Sequence, residues 1–362
     1  MLNRLLVTAF ALIPLCLPTM ASAQRAGMLP TNRPDVWAFP APPTNFDPND
    51  ASDEELRSFG FPPKPNDAQR LDTWRMVTGS AGRRIVPEFG KSRVSHRPAQ
   101  TLRSEQNVTV RNYAGQSVNP SSLSSSNWSG FALENDNVPF TDVLGVWTIP
   151  SVMLPPGASC SSGVLGYFSS DWDGIDGLTN QNLVQAGTEG DVECSNGTAS
   201  LHYDAWFEWI PNPESPLSNF TVEPGDGMAV EVTVVNSTTA DFFIVDLTTG
   251  QSTSFQATAP AGASVVGASA EWIHEAPEVN GSIATLAAFG NAFFNVTWAN
   301  LTTANSINIS KGASVTPGFP VDATTVMITL VQNNTRTSIP RLMGPATGWL
   351  LYQTDENTLF GD

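Results

Sequence analysis

The chain has 362 residues, with 34 Asp and Glu against 17 Lys and Arg and a formal net charge of −17. Such an excess of negative charge disfavours nucleic-acid binding, which depends on cationic contacts to phosphate. The charge is also unevenly placed: beyond residue 115 there are 24 carboxyl side chains and only Lys311, Arg336 and Arg341, whereas residues 24–114 carry 13 basic and 10 acidic side chains. Near neutral pH unpaired carboxylates repel one another, and near their ordinary pKa of about 4 much of that charge is titrated away. A weakly basic leader before an acidic body is therefore expected to hold it at neutral pH and to separate in acid, as in a secreted zymogen. Exposed charge pairs are screened by salt, so salt is expected to loosen such a leader.

At the N-terminus, Arg4 precedes an apolar run over 5–17 and then Ala21-Ser22-Ala23, a small-x-small cleavage signal. The run is about thirteen residues where a membrane span needs about twenty. Residues 1–23 are therefore predicted to be a signal peptide, 24–115 a proline-rich propeptide and linker, and 116–362 the functional domain, extracellular and monomeric with no membrane partner. In the leader, Pro30, Pro34, Pro40, Pro42, Pro43, Pro48, Pro62, Pro63 and Pro65 leave room only for short helices. One is predicted to start at Ser52-Asp53-Glu54-Glu55, which has a capping-box pattern, and another to cover 67–77. The Ser-rich run 117–127 reads as a flexible linker.

From Trp128 onward, short β-branched and aromatic runs alternate with Gly, Pro, Asn and Asp. Residues 228–234 alternate with period two, and similar segments recur near 143–149, 164–171, 182–188, 201–210, 241–247, 265–274, 293–298 and 325–331. About a dozen strands and no long helix argue for an all-β fold, a single antiparallel β-sandwich. Cys160 and Cys194, the two cysteines beyond the signal, are candidates for a disulfide closing about 35 residues. Neither has a neighbouring His or Cys at ligand spacing, and no metal or cofactor is expected.

The body holds only two histidines, His202 and His274. It contains no His-Glu-x-x-His pair, no Gly-x-Ser-x-Gly elbow and no Asp-Thr-Gly or Asp-Ser-Gly motif, and its lone Lys311 makes a Ser-Lys dyad improbable. Carboxylates and amides remain. Strand periodicity puts His202, Asp204, Trp206 and Glu208 on one face and Tyr203, Ala205, Phe207 and Trp209 on the other. Likewise Glu271, Ile273 and Glu275 share a face, as do Leu183, Gln185 and Gly187. Polar groups beside tryptophans on three strands suggest a cleft that binds something extended. Taken singly, each such residue is more often a solvated or hydrogen-bonded strand position than a catalyst.

Five segments then occur in order: Asn127-Trp128-Ser129-Gly130, Trp172-Asp173-Gly174-Ile175-Asp176-Gly177, Leu183-Val184-Gln185-Ala186-Gly187, Tyr203-Asp204-Ala205-Trp206-Phe207-Glu208-Trp209-Ile210-Pro211 and Ala270-Glu271-Trp272-Ile273. Together they resemble the glutamic peptidases, the eqolisin group of acid endopeptidases. The resemblance implies a concanavalin A-like or jelly-roll sandwich with a substrate groove on its concave side, and a propeptide removed at low pH. It also implies a catalytic pair falling on Gln185 and Glu271, with groove residues at Trp128, Trp172, Asp176, Asp204, Trp206, Glu208 and Glu275. Asp173 stands where the family has a small apolar residue, and Ile210 where it has a groove tyrosine. His274, opposite Glu271, is read as structural or exposed.

On this reading the partners are protein or peptide substrates and the chain's own propeptide. Glu271, ionised, takes a proton from the attacking water and returns it to the leaving amine, while Gln185 donates to the developing oxyanion. Activity is expected at about pH 2–4, where Asp176, Glu208 and Glu275 are largely protonated. Two rivals share the same groove: a glycoside hydrolase using Glu208 and Glu271, and a non-catalytic carbohydrate-binding sandwich.

Overall fold

The computed structural model describes residues 27–65, 68–106, 109–111, 117–134, 139–294, 305–307, 325–343 and 347–352. The expected signal peptide at 1–23 and the 115/116 boundary lie outside them. Among the described residues no helix is long and apolar enough to cross a membrane.

Among the described residues, two helices precede the sandwich, α1 (Asp53–Ser58) and α2 (Ala68–Ser80). The first has the predicted capping box: the Ser52 hydroxyl accepts from the Glu55 amide while the Glu55 carboxylate accepts from the Ser52 amide. The body strands used below are β1 (Ser121–Ser125), β2 (Trp128–Glu134), β3 (Asp142–Thr148), β4 (Ser170–Ile175), β5 (Val184–Ser195), β6 (Thr198–Trp209), β7 (Gly227–Asn236), β8 (Thr239–Asp246), β9 (Gln251–Thr258), β10 (Ser269–Glu275) and β11 (Thr325–Gln332). One layer runs β1, β11, β2, β10, β4, β5, β6, antiparallel except for β1 against β11. The other runs β3, β7, β8, β9, all antiparallel.

Period-two alternation sorts each strand between core and groove. On β6, Ala205, Phe207 and Trp209 enter the core between the layers, where they join Phe131, Ala186, Val230, Phe242, Phe255 and Trp272. The opposite face of the first layer carries Trp128, Trp172, Trp206 and Ile273, packed against Ala99 of the leader. The Cys160–Cys194 disulfide is formed and ties the loop before β4 to the end of β5.

The leader is part of this architecture. Val36–Ala38 pairs antiparallel and Arg83–Ile85 parallel with β9, closing an edge that would otherwise offer unpaired backbone groups. Leu56, Phe61, Trp74 and Val77 bury the outer face of the second layer against Val146, Ala229, Phe243 and Val245. The Arg84 guanidinium lies over the rings of Phe61 and Phe243, and burial lowers its pKa to about 10. Among the described residues, partly exposed leader-to-body ion pairs are Arg93–Glu193, Arg97–Glu278 and Glu105–Arg336. Arg93 to Glu193 is half-exposed, and such pairs contribute at most about 1 kcal/mol. Apolar burial and strand pairing also hold the leader.

The Ser-rich run is not a linker. Ser121–Ser125 is a strand inserted between β11 and the leader's Arg103–Ser104, with Ser124 and Ser125 buried. Serine composition suggested flexibility, but a ladder on both sides satisfies the backbone, and the Ser125 hydroxyl donates to the Gln100 carbonyl.

Asp173 points into the core, buried, with neither carboxyl oxygen hydrogen-bonded. Facing it is Gly145, where an added Cβ would meet Asp173 Oδ2 at 2.8 Å. The missing side chain on β3 makes room for the unusual carboxyl on β4. Gly145→Ala is therefore expected to destabilise the fold by about 1–3 kcal/mol through overpacking, read from denaturant unfolding at acid pH.

Candidate active site

Cross-strand register gathers the candidates on the groove face of the first layer. Gly174 of β4 pairs with Glu271 of β10 on one side and with Gln185 of β5 on the other, and Gln185 pairs with Glu208 of β6. Glu271, Gly174, Gln185 and Glu208 thus form one row. Two strand spacings separate the backbones of Glu271 and Gln185 by about 9–10 Å, with Gly174 between them. Gly174 leaves the floor between them open, since a Cβ there would meet Gln185 Cβ at 2.9 Å. Two residues along, Trp172 and Trp206 flank Gly187, and a further two along, Glu275, Ser170, Glu189 and Asp204 form a third row.

The leader lies in this groove. Ser95 and His96 donate through their hydroxyl and backbone amide, respectively, to the Glu208 carboxylate, the amide at 2.6 Å. Gln185 Nε2 donates to the His96 carbonyl at 2.8 Å and to Glu208 at 3.2 Å. The Arg97 amide donates to Glu275 at 3.2 Å, and its carbonyl accepts from Trp128 Nε1 and Asn127 Nδ2 at 2.9 and 3.0 Å. The Ala99 amide donates to the Gly177 carbonyl. Backbone bonds to successive residues of an extended segment are how a sheet surface binds a peptide.

Glu275 also accepts from Trp172 Nε1 and Asn127 Nδ2. The His96 ring stacks on Trp206 with centroids 3.8 Å apart, and Nε2 lies 2.8 Å from Glu189 and 2.9 Å from Glu214. These three side chains offer ligand atoms within 4.8 Å of one another, a set that could also take a metal. Of the two carboxyls, Glu214 hydrogen-bonds the ring nitrogen.

Burial dominates the electrostatics. It pushes Glu271, Glu208 and Glu189 well up, and raises Glu275 against opposing hydrogen bonds from His96, Asn127 and Trp172. It raises Glu214 to about 7 and Asp204 to about 6. His96 is pushed down by the same burial, with Glu275 opposing. Both oxygens of Glu271 lack hydrogen-bond partners. With the leader in place, exclusion of water raises the Glu271 carboxyl above its ordinary pKa, and readmitting water would lower it again.

Of the residues predicted for the groove, Trp128, Trp172, Trp206, Glu208 and Glu275 bond or pack around the leader, and Asp204 sits at the end of the acidic row. Asp204 pairs with half-exposed His202, raising that imidazole to about 9. Asp176 is turned away. At φ 73° it accepts from the backbone amides of Val266, Gly267 and Ala268, fixing the loop before β10. His274 is buried on the core side, 2.8 Å from Asp171. Glu189, Glu214, Asn127 and His96 were not singled out from sequence. A cavity of about 800 Å³ lies elsewhere, between α1 and the outer face of the second layer, lined by Glu54, Arg57 and Phe243 among others.

Residues 126–339 match the model of the peptidase A4 family. Over 218 residues the chain is 33% identical to aspergillopepsin-2 of Aspergillus niger, spanning 56% of this chain and 70% of that protein. Over 151 residues it is 32% identical to scytalidopepsin B of Scytalidium lignicola, spanning 41% of this chain and 51% of that protein. Among solved structures, scytalido-glutamic peptidase with a transition state analog inhibitor aligns at a TM-score of 0.49 and 27% identity, covering 63% of this chain and 98% of that one. Aspergilloglutamic peptidase from Aspergillus niger aligns at 0.40 and 27% identity, covering 52% and 99%.

Proposed function

The chain belongs to the peptidase A4 family and is a glutamic-type endopeptidase, and on that premise we propose that Glu271 and Gln185 hydrolyse peptide bonds in acid, in a secreted enzyme made as a zymogen. Water held between the two side chains attacks the scissile carbonyl carbon. Glu271 takes one water proton and passes it to the leaving nitrogen, and Gln185 Nε2 donates to the carbonyl oxygen as negative charge develops there. Trp128, Trp172, Trp206, Glu208 and Glu275 hold the substrate backbone and side chains along the groove. Residues 24–115 act as the propeptide, filling the groove and keeping Glu271 dry.

The observation that carries this reading is the bond from Gln185 Nε2 to the His96 carbonyl, which presents a peptide carbonyl to the amide assigned to the oxyanion. The amide does not titrate and only one carboxyl acts as base, so an inhibitor shaped for two carboxyls sharing a proton has no matching partner. Leader-free protein is expected to digest a denatured protein at about pH 3, below the ordinary carboxyl pKa, with its rate unchanged by a paired-aspartate inhibitor. Inhibition as complete as that of a paired-aspartate enzyme run alongside, or hydrolysis confined to polysaccharides, would refute it.

A further inference from the structure

His96 is a leader residue with a pocket built around its side chain. The imidazole is fully buried, stacked on the Trp206 indole, and surrounded by acceptors at both nitrogens: Glu189 and Glu214 at Nε2, and Glu275 at 3.4 Å from Nδ1. Glu208 holds its backbone amide and Asp204 closes the acidic row nearby. The Nε2 bond to Glu214 and the stack on Trp206 fit an imidazole ring to this pocket, with the Glu189 and Glu275 carboxyls beside it. The carbonyl of the same residue is the one that Gln185 holds, and the next nitrogen, that of Arg97, donates to Glu275.

Resting on the assignment of Gln185 and Glu271 above, we propose that this pocket recognises histidine as the residue supplying the scissile carbonyl, and that His96–Arg97 is the bond the enzyme cuts in its own leader. Once water enters the groove, Glu271 regains an ordinary acidity. The water oxygen bonds to the His96 carbonyl carbon and the bond to the Arg97 nitrogen breaks. One water proton travels by way of Glu271 to that nitrogen, leaving a carboxyl at His96 and an amine at Arg97. In later turnovers the emptied pocket selects substrates with histidine at the same position, and Glu189 and Glu214 are the specificity-determining residues.

The test has two readouts on unaltered protein. Full-length chain is brought to about pH 3, below the ordinary carboxyl range, and new N-termini are sequenced over time. The same acid-treated protein is then offered peptides that differ only in the residue before the cut. The first new N-terminus is expected at Arg97. The histidine peptide is expected to exceed its leucine and alanine counterparts in kcat/KM by about 10- to 100-fold, the range that one or two charge-assisted hydrogen bonds supply. Glu214→Gln and Glu189→Gln are expected to narrow that margin while cleavage of the leucine peptide continues. A first cut at another bond, or equal rates across the peptides, overturns the proposal even if every cleavage depends on Glu271. Cleavage that survives Glu271→Ala counts instead against the dyad.

Discussion

Leader-free Glu271→Gln protein is expected to digest a denatured substrate at about pH 3 at 10²–10⁴-fold below the parent rate, the range lost when a positioned acid–base group is removed. Gln185→Ala is expected to lose about 10²–10³-fold, the cost of one oxyanion donor. The two should differ in pH dependence. Removing the amide leaves the acid limb of the profile where it was, because the titrating carboxyl remains; removing Glu271 abolishes that limb. Both side chains lie on a groove face floored by glycine and held by a ladder that neither substitution breaks, so unfolding midpoints should stay close to the parent's. A Gln185→Ala enzyme with the full parent rate would remove the amide from the mechanism.

The second large effect is on stability. Burial raises Asp173, Glu189, Asp191, Glu208, Glu231, Glu271 and Glu275, and takes Glu214 to about 7 and Asp241 to about 6. A carboxyl with a raised folded-state pKa holds its proton more tightly folded than unfolded. Its contribution is complete below the unfolded value, about 4, and is lost as pH rises through the folded value. Each unit of such a rise is worth about 1.4 kcal/mol. The intact chain should therefore melt highest in acid and progressively lower from about pH 5 to beyond 7. Asp173→Asn isolates one term, since Asp173 lies in the core, away from the leader. It should raise the melting midpoint by several degrees at pH 7 and leave it nearly unchanged at pH 4. An equal shift at both values would exclude titration of Asp173 as a cause.

Much of this was legible in strand alternation. Asp204, Trp206 and Glu208 fall on one face and Ala205, Phe207 and Trp209 on the other because a pleated strand has no other choice, and the same holds for Glu271, Ile273 and Glu275. Ser52 and Glu55 announced α1. Glu189 could have been found by extending the face of Gln185 and Gly187 by two residues. Glu214 could not, since it lies in a loop after β6 with no period to betray it. His96 was hidden for another reason: the leader lacks periodicity, and only the fold brings position 96 beside position 185. The resemblance put Asp176 in the groove, but its positive φ turns the carboxyl toward the 266–268 amides, which one-dimensional spacing does not encode. The serines of β1 misled because composition speaks to flexibility only when no partner strand is waiting.

The claim beneath all of this is that one carboxyl and one amide act on the same water. Residues that serve one step as a unit are strongly non-additive when removed together. Leader-free Glu271→Ala, Gln185→Ala and the double variant should be compared by their rate on one denatured substrate at about pH 3. The double variant is expected to be no slower than Glu271→Ala alone. Losses that multiply would mean that the two side chains work independently, and substantial cleavage by Glu271→Ala would mean that the base lies elsewhere.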